Sequence, residues 1–233
     1  MPPQEDVLQD LLHPSSNLAP LTKAECLVFS DIRFHQALVL RSQNPHAFRP
    51  DLFESHVSAS QAILSALSGA EAFIKIRFVS EELLADQRHI NVLSRLAGVL
   101  LERSGGQIAF DAVSEKLVEK GKLQEELEAA KDKQRSDFHV PVYWTQSDPG
   151  FVAETRGLRK VGAPELVTAS APKDQQIVIC RVIQELVEMV WAGAKLALIQ
   201  KVSNEYGDFE CMIEPEKKSL RRVRIRRLSS QAD

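Results

Sequence analysis

Residues 151–202 constrain the fold of this chain more than any other stretch of its sequence. They predict a strand at 152–156, then a turn punctuated by glycines, and then a long apolar helix over 174–202. No other segment could bury as much apolar surface, so we expect the hydrophobic core to form on it. The polar residues of the helix fall on one narrow stripe, which predicts that most of its circumference is covered.

The far end of this predicted helix is the first candidate for a binding surface. At a rise of about 1.5 Å per residue the helix would be roughly 42 Å long, which is more than a domain of this size needs. Either Gly193 breaks the helix, or its far end packs on another chain. The residues that would form this interface are Trp191, Leu196, Leu198 and Ile199.

Composition places the chain among ordinary globular proteins, with 44% hydrophobic and 26% charged residues among 233. A net charge of -3 predicts no general attraction to nucleic acid or to an anionic membrane. The three cysteines are widely spaced, which excludes a disulfide framework and a cysteine zinc site of the usual spacing. We expect a cytoplasmic protein with reduced thiols, no signal peptide and no membrane span.

The N-terminal residues 1–22 contain four prolines and predict a flexible leader. The alternative is that Val7, Leu8, Leu11 and Leu12, which have helical spacing, dock as one amphipathic turn on the body or on a partner.

The rest of the chain predicts a single α+β domain over 23–228, with 23–70 as an alternative N-terminal subdomain and 229–233 as a flexible tail. We expect one mixed, largely antiparallel sheet with two apolar helices packed on one face, ferredoxin-like in part.

Several local patterns support this architecture. Residues 25–29 read as a short strand, and the charge-rich residues 114–134 read as a solvated helix. The strands predicted at 72–79 and 108–110 flank an apolar helix, so they predict a β-α-β unit with parallel strands.

Residues 155–166 read T-R-G-L-R-K-V-G-A-P-E-L and precede the long apolar helix. This T-x-G-L-x-x-x-G-x-P-E-L stretch resembles bacterial domain families of unknown function. The resemblance covers about the last two thirds of the chain, including residues 108–111 and 142–144, and implies a compact α/β-type fold in a bacterial cytosolic protein. It carries no activity that can be transferred.

The same stretch contains a candidate anion site, formed by Arg156, Arg159 and Lys160 in a glycine-rich turn. Basic side chains and backbone N–H groups in such a turn can meet a carboxylate or a phosphate. The alternative is a structural turn whose glycines permit positive φ and whose charges face water.

Two aspartates follow short apolar stretches and are the weak catalytic candidates. Asp31 and Asp111 occupy the kind of position where α/β enzymes hold Mg²⁺ or place a general base. Turn formation or helix capping explains each one equally well. The histidines lack the spacing of a helical metal site, so we expect no metal and no cofactor.

The C-terminal strand carries Arg222, Arg224 and Arg226 on one face, where they could contact phosphates of a nucleic acid. Pairing across the sheet with Glu210 and Glu214 is the alternative, and the sequence favours it.

The leading functional hypothesis is a non-catalytic accessory or regulatory protein–protein interaction module, with a protein partner or a homo-oligomer. None of the familiar catalytic templates is present in the sequence. The first alternative is a Mg²⁺-dependent phosphoryl-transfer or hydrolytic enzyme that uses Asp31 and Asp111. Nucleic-acid binding through the C-terminal arginines is the second alternative.

Overall fold

The chain forms two compact units, an N-terminal unit over residues 1–134 and a C-terminal unit over residues 135–233. The computed structural model describes residues 2–14, 18–29, 33–48, 61–80, 86–129, 135–148, 150–217 and 219–228. The predicted α+β class is confirmed. This division differs from the predicted single domain. The long apolar helix packs against a sheet and core that lie within residues 135–233.

In its described residues, the N-terminal unit contains helices and two small two-stranded antiparallel sheets. The helices described here are α1 (Gln4–Leu12), α2 (Lys23–Phe29), α3 (Gln61–Gly69), α4 (Arg88–Ser104) and α5 (Lys120–Ala129), with a 3-10 turn at Pro45–Phe48. The strands are β1 (Phe34–Leu40), which pairs with β2 (Ala72–Phe78), and β3 (Ile108–Asp111), which pairs with β4 (Lys116–Glu119).

Helix α1 packs its apolar side into the core of this unit. Val7 and Leu11 are buried in one cluster with Val92 and Leu96 of α4. The prediction of a flexible leader is therefore wrong for α1, and the docked amphipathic turn is correct. The prolines lie at the ends of the helix and do not interrupt it. Pro3 is its N-cap, and another proline follows its C-terminus.

Helix α2 corrects the strand that was predicted at residues 25–29. The Glu25 carboxylate accepts the backbone N–H of Thr22 at 2.7 Å, and the Thr22 hydroxyl accepts the N–H of Glu25 at 3.3 Å. This reciprocal pair is a capping box, which satisfies two otherwise unpaired donors at a helix start.

The predicted parallel β-α-β unit is also wrong. Strands β2 and β3 each pair antiparallel with a different neighbour, β1 and β4. Part of the charge-rich stretch is strand β4 rather than helix, because a turn through Glu115, at φ 55°, folds it back onto β3.

The C-terminal unit is built on a six-stranded sheet in the order β5-β6-β7-β10-β9-β8. Its strands are β5 (Val142–Ser147), β6 (Gly150–Thr155), β7 (Glu165–Thr168), β8 (Ile199–Asn204), β9 (Gly207–Lys217) and β10 (Leu220–Arg227). Only β7 and β10 pair in parallel, so the sheet is mixed and largely antiparallel, as predicted. The helices are α6 (Ser136–His139) and α7 (Gln176–Trp191), with 3-10 turns at Leu158–Val161 and Lys173–Gln175.

Helix α7 covers one face of this sheet with the apolar side that the sequence predicted. Its Val182, Ile183, Leu186 and Val187 are fully buried. Since the other long apolar helix, α4, belongs to the N-terminal unit, the expectation that both pack on one sheet face is corrected.

The helix ends at Trp191 and not near residue 202. Gly193 takes a φ of +92° and its N–H closes the last turn on the Val190 carbonyl at 2.9 Å. Of the two sequence alternatives, the break at Gly193 is correct, and the residues beyond it include strand β8.

Within the described residues, every helix falls short of the length and apolar character that a membrane crossing demands.

Candidate functional site

The predicted anion site is a turn whose backbone N–H groups bind a carboxylate of the same chain, that of Glu165. The Glu165 carboxylate accepts the backbone N–H groups of Gly157 at 2.8 Å, Leu158 at 3.2 Å and Arg159 at 3.3 Å. The Thr155 hydroxyl donates to the same carboxylate at 2.8 Å. Successive N–H groups that converge in this way form an anion nest, and here Glu165 fills it.

The basic side chains of this turn contribute to the fold. Lys160 donates its ammonium to the His139 carbonyl oxygen at 2.7 Å, and the Arg156 guanidinium lies 5.1 Å from the centre of the Tyr143 ring. Arg159 is exposed. The geometry favours the structural turn over a binding site for an external anion.

Glu154 is a titratable residue in this region that the sequence analysis missed. Burial, and to a lesser degree the nearby Glu165 carboxylate, raise the pKa of Glu154. Perturbed carboxyl groups are acid–base candidates, but structural charge networks perturb the pKa as well. Here Arg156 lies 3.9 Å from the carboxylate, which indicates a structural charge pair.

The catalytic aspartate candidates gain no support. Asp111 accepts the N–H groups of Val113 at 3.0 Å and Ser114 at 3.3 Å, so its carboxylate forms the turn that leads from β3 towards β4. Asp31 lies outside the described residues. Among the residues that the structure describes, no cluster of three or more His, Cys, Asp or Glu side chains could hold a metal ion.

The cysteines are free thiols, and two of them belong to the C-terminal unit. Cys211 is fully buried, and burial together with the Glu210 charge raises its pKa to about 11. Burial also raises the pKa of the half-buried Cys180. Neither thiol is ionised near neutral pH, so neither has the character of a nucleophile.

The arginines of β10 lie on the charged face of the sheet that is opposite α7. Arg226 pairs with Glu210 at 3.0 Å, and Arg224 pairs with Glu214 at 3.6 Å. Arg222 stands opposite Glu214 in the strand register. The predicted cross-strand pairing is confirmed for two arginines, which removes the main support for a phosphate-binding row.

The predicted interface residues divide into two groups. Trp191 is only 8% exposed and stacks on the buried His139 ring, with a centroid distance of 5.4 Å, so it belongs to the core. Leu196 is half-buried. Leu198 and Ile199 are 75% and 58% exposed, so two consecutive aliphatic side chains are open to solvent.

Leu198 precedes strand β8 and Ile199 is its first residue; β8 is an edge strand in the described structure. Among the described strands it pairs with β9 alone, and the Leu198 carbonyl accepts the N–H of Ile213 at 2.8 Å. In an antiparallel ladder, hydrogen-bonded positions alternate with positions that point away. The backbone groups of Ile199, Lys201 and Ser203 therefore point to the free edge.

We call the edge surface the area formed by Leu198, Ile199, Lys201, Ser203 and Met212. On the charged face, Ile199 stands opposite Met212, and Lys201 stands opposite Glu210. Met212 is 38% exposed, so an apolar pair lies beside the free backbone groups. The sequence predicts Leu198 and Ile199 as interface residues but not Lys201 and Met212, because its pattern predicts a helix over 199–202.

The chain was compared with known proteins at three levels. No protein-family model, curated protein or solved structure matches it.

Proposed function

We propose that this protein is an accessory or regulatory protein-binding module, and that its edge surface binds an extended segment of a protein partner. The observation that carries the proposal is a strand edge that no other described strand pairs with, flanked by exposed aliphatic side chains. A peptide that adds to such an edge gains main-chain hydrogen bonds, while neighbouring side chains give specificity.

The composition of β8 makes this edge accessible. Sheet proteins usually protect an edge with proline, bulges, several charges or a covering element. Strand β8 has six residues, a regular register with β9, no proline and one charged side chain, Lys201. Among the described residues no other strand pairs with this side of β8, so a further strand can add there.

The support for the two alternatives is weaker. The Mg²⁺ enzyme would need Asp111, whose carboxylate forms a turn, and nucleic-acid binding would need arginines that pair with glutamates. We also propose a cytoplasmic location, which free thiols favour, and a bacterial origin, which the T-x-G-L-x-x-x-G-x-P-E-L stretch suggests.

The test uses proline at an outward-facing position of β8. Lys201→Pro removes an N–H that points to the free edge but leaves the ladder to β9 intact, whereas Lys201→Arg keeps both the N–H and the charge. Each full-length variant is used to capture proteins from the native cell. We expect the wild type and Lys201→Arg to retain the same partner and Lys201→Pro to lose it.

Thermal unfolding shows whether Lys201→Pro keeps its fold, and Ser203→Pro provides a second variant of the same kind. A captured partner that both proline variants retain at wild-type levels would show that binding does not use this edge.

A further inference from the structure

We infer that the partner segment is acidic: it places a carboxylate opposite Lys201 and, two residues later, an apolar side chain opposite Ile199. This inference rests on the proposed function and adds the chemistry of the partner. It follows from how charges and apolar groups are ordered across the sheet up to its free edge.

Charges of alternating sign lie in a row across β10, β9 and β8. Arg226 on β10 stands opposite Glu210 on β9, and Glu210 stands opposite Lys201 on β8. The Glu210 carboxylate is held by Arg226 at 3.0 Å, while no ion pair to Lys201 is formed among the described residues. A carboxylate on a further strand would continue the alternation and meet Lys201 directly.

The neighbouring row of residues across the same three strands is apolar on β9 and β8. Arg224 stands opposite Met212, and Met212 stands opposite Ile199. An apolar side chain on the next strand would cover the exposed part of Ile199, which lies beside Met212. Leu198, on the other face, offers a further apolar contact.

The strand geometry sets the order of these residues. Side chains two positions apart share a face of a sheet. In an antiparallel partner, the residue opposite Ile199 therefore follows the residue opposite Lys201 by two, and the residue opposite Leu198 comes next. The predicted segment reads acidic-x-apolar-apolar, with backbone hydrogen bonds to Ile199 and Lys201.

A second copy of this chain does not fit the edge as well. Strand β8 contains no carboxylate, and a two-fold pairing centred on Lys201 would place two ammonium groups opposite each other. The Gln200 side-chain amide donates to the Lys201 carbonyl at 3.3 Å. This long, exposed contact can be replaced by a partner N–H, since the donor returns to water.

The experiment uses two capped peptides, Thr-Glu-Thr-Val-Val-Thr and its lysine counterpart Thr-Lys-Thr-Val-Val-Thr. Each is titrated into the full-length protein, and the backbone amide signals of β8 are followed by NMR. We expect shifts at Ile199, Lys201 and Ser203, and about fivefold tighter binding of the glutamate peptide. In Lys201→Glu the preference should reverse, because the charges are exchanged.

The outcomes separate the inference from the proposed function. If both peptides bind the edge equally well to the wild type and to Lys201→Glu, the acidic partner is wrong and the strand-binding edge stands. If neither peptide shifts the β8 amides, both are wrong. A protein that forms a dimer through β8 in solution would also overturn the inference, because a second copy would then occupy the edge.

Discussion

The two faces of the six-stranded sheet have opposite chemistry although the same strands build them. On the face under α7, side chains such as Phe151, Ala153 and Val223 are buried. On the other face, Arg226 forms an ion pair with Glu210, which stands opposite Lys201 of β8. One face therefore provides stability, and the other carries the charged groups that we propose to contact a partner.

In strand β9, alternate residues point to the two faces of the sheet. Phe209, Cys211 and Ile213 are buried, whereas the intervening Glu210 and Met212 lie on the charged face. Substitutions of the buried set should change the free energy of unfolding, and substitutions on the charged face should change the binding of a partner.

The largest expected effect is at the centre of the covered face. Leu186→Ala removes a fully buried side chain of α7 and should lower the free energy of unfolding by about 3 kcal/mol. Ile177→Ala is the matched control, because Ile177 lies on the same helix but is 71% exposed, and it should change stability by at most about 0.5 kcal/mol. Chemical denaturation measures both, and equal losses would contradict the assignment of the covered face.

A smaller effect is expected at the turn between β6 and β7. Glu165→Ala removes the acceptor of the Gly157, Leu158 and Arg159 N–H groups and should cost about 2 kcal/mol. Glu214→Ala, on the charged face, should cost at most about 1 kcal/mol. A negligible loss for Glu165→Ala would show that water satisfies the turn and that the nest is open to other anions.

The smallest effect concerns the pH dependence of stability. Because the folded state raises the pKa of Glu154, its ionised form opposes folding at neutral pH. Glu154→Gln should therefore be more stable than the wild type at pH 7. The advantage should disappear below about pH 4.3, where the wild-type carboxyl is protonated in the unfolded chain as well. An advantage that grows as the pH falls would contradict the direction of the shift.

The sequence predicted those parts of the fold that depend on local periodicity. Helix α4, strand β2 and the first part of the long apolar helix appear where their patterns place them. The capping box of Thr22 and Glu25 was a readable signal, and attention to it would have corrected α2.

Other features depend on partners that are distant in sequence. The residues after Trp191 keep a helix-like composition, and only the ladder with β9 shows that Ile199–Asn204 is a strand. The position of Glu165 in its nest, and the place of β8 at the sheet edge, follow from strand order. No spacing of residues within the sequence contains that information.

Backbone amide hydrogen exchange in the full-length protein tests the central claim, a free edge at β8, most directly. We predict rapid exchange at Ile199, Lys201 and Ser203 and slow exchange at Gln200 and Val202, which bond to β9. Slow exchange at all five amides in the isolated protein would contradict the account, because it would show that the edge is already covered.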